Sequence, residues 1–462
     1  MAAGDAAPPL RVAIFGSGPA GFYATEDLLK QQAQPAQVDL FDRLPTPYGL
    51  VRGGVAPDHQ NIKVVIKIYE RAAGRPGFRF FGNVRFGEHL NLQEVLAHYH
   101  MALFCTGAES DRRMGIPGED LPGSYPATEL VGWYNGHPDY RHLTFDLSRP
   151  RVAVIGNGNV AMDVARILAK PQQELASTDI ADYALAALAQ SGIQEIFLLG
   201  RRGPAQAAFT NPEIRELAEI PGVDLVVRPE ELELDAPSQA FLASVKEPTY
   251  QRNVDILRKQ IPKGTGTQPR KIWARFFVSP VALLGEGRVQ AIRLEKNKLV
   301  QDESGSVKAV GTGQHEDLPV DLVFRSIGYK GLGLPGLPYD AKSGIVPNHD
   351  GRVVDPASGQ PVPRLYVAGW IKRGPSGVIG TNKPDAAETV ARMLEDAKSL
   401  ALPTGLNPDP AAMPTLLASK GVRVVTFGDW KKLDQLEVAA GKAHGKPREK
   451  FTTVQAMLAA LG

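Results

Sequence analysis

Twice along the chain an apolar run breaks off at glycine and gives way to an amphipathic stretch. The first instance is "RVAIFGSGPAGFYATEDLLK" at Arg11–Lys30, and the second is "RVAVIGNGNVAMDVARILAK" at Arg151–Lys170. A short continuous apolar run predicts a strand buried on both faces, and the 3.6-residue pattern after each turn predicts a helix. Gln37–Asp42, "QVDLFD", is strand-like again, so the first instance completes a βαβ unit. Met101–Ala108 predicts a further buried parallel strand. After the second turn, Pro171–Gly192 is Ala-rich and predicts an inserted helical segment, and Ile193–Arg202 predicts the next strand. Near Ala274–Val310 the pattern changes to alternating apolar strands with charged turns. Val320–Tyr329 returns to the parallel type. Arg364–Asp396 reads as a strand, a Gly-rich loop and a long amphipathic helix, and the tail after Leu400 as Pro-rich, then helical.

This order predicts an α/β fold with two Rossmann-like dinucleotide-binding domains, one inserted into the other. The outer domain is expected over 1–108 and 330–462, and the inserted one over 109–329.

The glycine turns carry chemistry. In Gly16-Ser17-Gly18-Pro19-Ala20-Gly21 the first glycine permits the tight turn and the second admits a pyrophosphate. The third lets helix and strand pack closely. The helix N-terminus supplies free N–H groups to the phosphates. Asp42 ends the next strand, where its carboxylate suits ribose hydroxyls and repels a 2′-phosphate. In the second turn, Gly156-Asn157-Gly158-Asn159-Val160-Ala161, alanine holds the third glycine position. Its next strand ends in "GRRGP", where Arg201 and Arg202 are suited to gripping a phosphate. Two turns of opposite charge preference therefore predict two dinucleotides, FAD at the first and NADPH at the second. A solvated loop is the plainer reading of the two arginines taken alone.

Composition narrows the field. The 462 residues carry a net charge of only +2, which argues against nucleic acid as the partner. No apolar run approaches the length of a membrane span. The single cysteine, Cys105, forms no internal disulfide, C-x-x-C pair or iron–sulfur site, and its expected place is the core. "MAAGDAAPPL" resembles neither a signal peptide nor a transit peptide, so a cytoplasmic protein is expected, with a mature mitochondrial matrix protein as the alternative.

The motifs "GSGPAG", "PYGLVRGGVAPDHQNIK", "GWYNGHPD", "IGNGNVAMDVARIL", "GRRGP", "AFTNPEIREL", "RSIGYKG", "GWIKRGPSGVIGTN" and "GKPREK" together resemble the adrenodoxin reductase-like ferredoxin–NADP reductases from about Arg11 to the tail. The resemblance implies NADPH oxidation by a tightly held FAD, and delivery of single electrons to a ferredoxin-type iron–sulfur protein. It implies FAD contacts from Gly16, Ala20, Asp42, Leu50, Val84, Trp370, Gly377, Val378 and Ile379, alongside the turn residues Gly18, Pro19 and Gly21. It implies NADP contacts from Asn157, Gly158, Asn159, Val160, Arg201, Arg202, Glu213 and Gly377. Asp42 stands where relatives often carry Glu.

Three further residues are candidates for tuning the chemistry: His59, Glu213 and Asp163. For each a structural reading stands beside the functional one. For Asp163 that reading is complementarity to the helix dipole, from a position in the first helical turn. No metal site is expected. Lys246–Arg275 holds eight bases (Lys246, Arg252, Arg258, Lys259, Lys263, Arg270, Lys271, Arg275) against Glu247 and Asp255, a candidate docking face for an acidic ferredoxin. A monomer is expected. Two other activities fit the same residues: an NADPH dehydrogenase serving a quinone or another small acceptor, and a non-catalytic dinucleotide-binding electron-transfer subunit.

Overall fold

The computed structural model describes residues 9–462 except 304, 400–402, 404, 405, 407 and 408. Strands β1 (Leu10–Phe15), β2 (Ala36–Phe41), β3 (Phe78–Phe81) and β4 (Met101–Phe104) are parallel, in the spatial order β4-β1-β2-β3. Between β1 and β2 lies α1 (Pro19–Leu29). Alternation within β1 feeds two cores at once. Val12 and Ile14 face the layer that holds α1's Phe22 and Leu28, while Ala13 and Phe15 face the layer of Val95 and Tyr99. The final residues of all four strands are phenylalanines in one register row, Phe104-Phe15-Phe41-Phe81, with centroids 5.3, 4.9 and 4.9 Å apart. Such cross-strand pairs lock the register, and here they fix where each strand stops and its loop begins.

The chain then builds a second sheet from β5 (Ser124–Pro126), β6 (Arg151–Ile155), β7 (Glu195–Leu199), β8 (Val223–Val227), β9 (Arg270–Arg275) and β10 (Leu322–Arg325). Their order is β5-β10-β6-β7-β9-β8, all parallel. Helix α2 (Asn159–Ala169) follows β6, and α3 (Asn211–Ala218) follows β7. One face of the sheet is covered by an antiparallel three-stranded meander, Val278–Leu284, Ala291–Gln301 and Val307–Pro319, whose Leu283, Ile292 and Leu294 pack on Ile155, Phe197 and Leu199. Finally β11 (Pro361–Val367) returns to the first sheet and pairs parallel with β4. The helix α4 (Asn382–Ser399) packs on α1.

Where the chain leaves the first sheet and where it comes back, Ser110–Asp111 and Tyr329–Lys330 pair antiparallel. The expected helical insert resolves into Gln172–Leu175 and Asp182–Ala189. Among the described residues no helix is long and apolar enough to cross a membrane.

Candidate dinucleotide sites and the ion cluster between them

Both glycine turns sit at the C-terminal ends of their strands, the usual ligand edge of a parallel sheet. Gly16 has φ +104°, and a Cβ on it would stand 2.4 Å from the Cys105 carbonyl oxygen. A Cβ on Gly21 would stand 2.1 Å from the Gly16 oxygen. The middle glycines differ. A Cβ on Gly18 would meet only the Gly49 Cα at 4.0 Å, and one on Gly158 would meet nothing within 4 Å. The protein itself does not require glycine there, so the bare backbone leaves room for something else. The helix that begins at each turn, α1 or α2, has no side-chain cap and no acid in its first turn. Open backbone at an uncapped helix N-terminus suits a pyrophosphate.

Around the first turn the structure places Asp42, Leu50 and Trp370 close to the glycine backbone. Asp42 Oδ2 accepts from the Ser17 backbone N–H at 3.0 Å and its hydroxyl at 2.5 Å, and Oδ1 accepts from the Leu44 N–H. The carboxylate therefore ties the turn to the end of β2, with three of its roughly four acceptor positions filled and one left open. Leu50, 44% exposed, opens a short helix directly after Gly49, whose Cα lies against Gly18. Trp370 follows Gly369, which packs on the Ala20 Cβ, and its indole N–H donates to the Ser376 oxygen at 3.2 Å. Gly377 and Val378 are exposed and Ile379 half-buried in the loop that leads into α4. Val84 is buried in the core, and its N–H donates to the Asp42 backbone oxygen at 2.8 Å.

At the second turn the Asn157 side chain lies over Gly200, the Asn157 backbone oxygen accepts from the Ala208 N–H, and Asn159 Oδ1 accepts from the Thr210 N–H. These bonds tie the 200–210 loop to the turn beside Val160. Among the described residues neither Arg201 nor Arg202 has a carboxylate partner. Burial and the neighbouring Arg201 push the Arg202 guanidinium below its ordinary pKa. Two adjacent unneutralised cations at the end of β7 fit a phosphate group.

Asp163 sits in the second turn of α2, five residues into the helix, and not in the first as expected. It does not serve the helix dipole. It belongs to an ion cluster organised by a residue the sequence reading passed over, the fully buried Arg166. That guanidinium bonds Asp58 at 2.8 and 3.0 Å, Asp163 at 2.6 Å and Glu213 at 2.9 Å. His59 Nε2 is 2.8 Å from Glu216, and its Nδ1 lies 3.8 Å from Asp163 and 4.0 Å from Glu213. Lys170 reaches Asp58 at 2.9 Å. The three candidate tuning residues therefore do converge, joined by Asp58, Arg166 and Glu216. Residues i and i+3 on a helix share a face, so Asp163/Arg166 on α2 and Glu213/Glu216 on α3 were detectable as pairs.

Four carboxylates face two permanent cations here. Burial, and then the Asp163 charge, raise Glu213 to about 7 despite Arg166. Burial also raises Asp163. Burial works in the same sense on Asp58, but Arg166 and Lys170 outweigh it and hold that carboxyl well below the usual range. His59, Glu213 and Glu216 offer atoms within 4.8 Å of one another, a possible metal constellation. Arg166 already supplies positive charge to both glutamates, at 2.9 and 3.5 Å.

The basic segment separates into unlike parts. Lys246, Arg252, Arg258, Lys259 and Lys263 are exposed. Arg275 is buried, paired with Glu231 and Glu316, and Arg270 donates to the Ile193 and Ala169 oxygens. The last two hold the fold together, so the free basic face is narrower than the count of eight suggests. Cys105 is buried, as expected.

Two sheets, one wholly parallel and the other with a parallel core around β1, each with an uncapped glycine turn at its ligand edge, define a two-dinucleotide oxidoreductase scaffold. A family model described as pyridine nucleotide-disulphide oxidoreductase matches residues 10–197. The chain is 46% identical to the NADPH-ferredoxin reductase FprA of Mycobacterium tuberculosis over 458 residues, 97% of this chain and 98% of that one. It is 44% identical to the mitochondrial NADPH:adrenodoxin oxidoreductase of Arabidopsis thaliana, over 98% of this chain and 95% of that one. Its fold matches the solved structure of Mycobacterium tuberculosis FprA in complex with NADPH with a TM-score of 0.93 at 44% identity, covering 98% and 100% of the two chains. The chain belongs to the family of NADPH-ferredoxin and NADPH:adrenodoxin reductases.

Proposed function

We propose that this protein is an FAD-dependent ferredoxin–NADP reductase that takes a hydride from NADPH and passes single electrons to a ferredoxin-type iron–sulfur protein. The observation that carries the reading is the pair of open, uncapped glycine turns, one followed by a carboxylate and the other by two unpaired guanidiniums. With Cys105 the only thiol, and buried, no internal disulfide relays the electrons, so they leave for an external acceptor.

Gly16–Gly21, Asp42, Leu50, Val84, Trp370 and Gly377–Ile379 hold FAD. Asn157–Val160, Arg201 and Arg202 hold NADPH, with Glu213 and Gly377 beside its nicotinamide end. When bound, the flavin supplies the capacity to accept two electrons together and release them one at a time. The chain orients the two rings and excludes water. His59, Asp163 and Glu213, fixed by Arg166, set the charge beside them. Hydride passage between stacked rings requires no general base, so these residues tune the reaction.

The exposed bases Lys246, Arg252, Arg258, Lys259 and Lys263 form the face for an acidic ferredoxin. We take the division at residues 108/109 and 329/330 as that between the FAD and NADP domains, and the protein as a cytoplasmic monomer.

Anaerobic stopped-flow spectroscopy of the purified protein tests the reading. A yellow protein that NADPH bleaches and oxidised ferredoxin restores is expected. A colourless protein, or a yellow one that bleaches yet ignores ferredoxins while reducing quinones, overturns it. Arg258→Glu with Lys259→Glu should raise KM for ferredoxin about tenfold and leave ferricyanide reduction unchanged. Equal loss of both activities removes the docking assignment.

A further inference from the structure

A cavity of about 250 Å³ lies between Tyr48–Glu70, the Asp179 loop and the C-terminal segment, next to the first glycine turn, where the Tyr48 N–H donates to the Ser17 oxygen. Its polar lining is mostly cationic: Arg52, Lys63, Lys67, Arg448 and Lys450 against Glu70 and Asp179. At its floor two buried ammonium groups share one buried carboxylate. Lys63 donates to both oxygens of Asp179, at 2.7 and 2.8 Å. Lys450 reaches Asp179 at 3.1 Å and the Asn135 backbone and side-chain oxygens at 3.1 and 3.4 Å.

The remaining charges around the cavity are spoken for. Arg52 pairs with Glu437 and stacks on Trp430, Arg448 pairs with Asp434 and Glu437, and Glu70 pairs with Lys431. Among the described residues that leaves the floor with two cations for one anion, one Lys63 proton without an acceptor, and the exposed Lys67 at the rim without an ion-pair partner. An uncompensated buried cation is costly. Burial accordingly lowers Lys450 to about 7. The arrangement relieves that cost if an anion enters.

We propose that this cavity binds a small phosphate-type oxyanion, held by the remaining Lys63 proton at the floor and by Lys67 at the rim, with Lys450 adding positive charge beneath it. The volume is below that of pockets for drug-sized ligands, so the occupant is orthophosphate or the head of a small phosphomonoester. Neither Arg201 and Arg202 nor any residue of Gly16–Gly21 lines it, so it is distinct from the phosphate contacts assigned to the two nucleotides.

Isothermal titration of the FAD-loaded protein, saturated with NADP+ so that the nucleotide sites are filled, tests this with inorganic phosphate and with glycerol 3-phosphate. One-to-one binding with Kd below about 1 mM at low ionic strength is expected. Lys67→Gln should weaken it roughly fivefold and Lys450→Met should abolish it, with NADPH–ferricyanide turnover unchanged in both. Tighter binding of glycerol 3-phosphate names the monoester as the ligand, and equal binding names free phosphate. No binding of either up to about 20 mM, or the same affinity in Lys67→Gln as in the parent, overturns the proposal. The exposed Lys67 variant decides alone should Lys450→Met not fold.

Discussion

Arg201 and Arg202 differ in setting, and that difference sets the size of their separate effects. Arg201 is exposed, so its bond to a phosphate competes with water and is screened by salt. A contribution of about 1 kcal/mol is expected from it. Arg202 is half-buried, and that burial, with the like charge of Arg201 beside it, already lowers its pKa. A 2′-phosphate neutralises both cations at once, and a charge-assisted bond in that setting contributes about 2 kcal/mol. Removing both then costs about 3 kcal/mol, roughly 150-fold in kcat/KM for NADPH. NADH carries no 2′-phosphate, so its kcat/KM should move less than about threefold. Initial rates of ferricyanide reduction with each nucleotide, for Arg201→Ala, Arg202→Ala and the double variant, measure this directly. Arg202→Ala should lose more than Arg201→Ala, and only the Arg201→Ala effect should shrink strongly between low salt and 0.5 M salt. An unchanged NADPH/NADH ratio in the double variant, or a parallel fall for both nucleotides, refutes the assignment.

Gly158→Ala should fold normally, with stability within about 1 kcal/mol of the parent, because its Cβ meets no protein atom; KM for NADPH should still rise at least about tenfold as the methyl fills the phosphate's place. Gly21→Ala has no such freedom, since its Cβ would collide with the Gly16 oxygen, so lost FAD and a lowered Tm should appear together on purification. Arg166→Leu leaves Asp58, Asp163 and Glu213 facing one another in a buried site, and chemical denaturation should show a loss of about 3–5 kcal/mol. Glu213, raised to about 7 against about 4.5 unfolded, binds its proton more tightly in the folded protein. Its contribution is complete well below pH 4.5 and fades as pH climbs through 7, so the parent should lose about 3 kcal/mol relative to Glu213→Gln across that window, read from Tm at several pH values. Parallel curves for the two proteins would remove the shifted carboxyl from the account.

What the sequence disclosed were features that backbone geometry imposes locally. Gly16 and Gly156 stand at turns with φ +104° and +132°, and β1 and β6 alternate between two cores because parallel strands are covered on both faces. Such constraints write themselves into adjacent residues. The ion cluster did not, because its members come from three separate stretches, Asp58–His59, Asp163–Lys170 and Glu213–Glu216, and Arg166 in a list reads like any helical arginine. Arg275 shows the converse: it sits in a run of bases yet is buried against Glu231 and Glu316, because strand alternation, not composition, decides which way a side chain points. Asp42 was placed at the right strand end, but its bond to the Ser17 hydroxyl depends on how the turn folds back.

The return of β11 to the first sheet has a consequence for how the protein is made. Ala102 of β4 pairs with Leu365 of β11, so one side of the N-terminal sheet waits for a strand encoded more than half the chain away. The second sheet draws all of its strands from residues 124–325 and is complete in itself. On a ribosome adding about 5–20 residues per second, the N-terminal sheet exposes β4 as an edge for roughly 13–50 s while the inserted unit emerges and closes. The unit begun first is therefore finished last, and the hazard during synthesis lies along β4, where Met101-Ala102-Leu103-Phe104 presents an apolar edge to any other strand within reach.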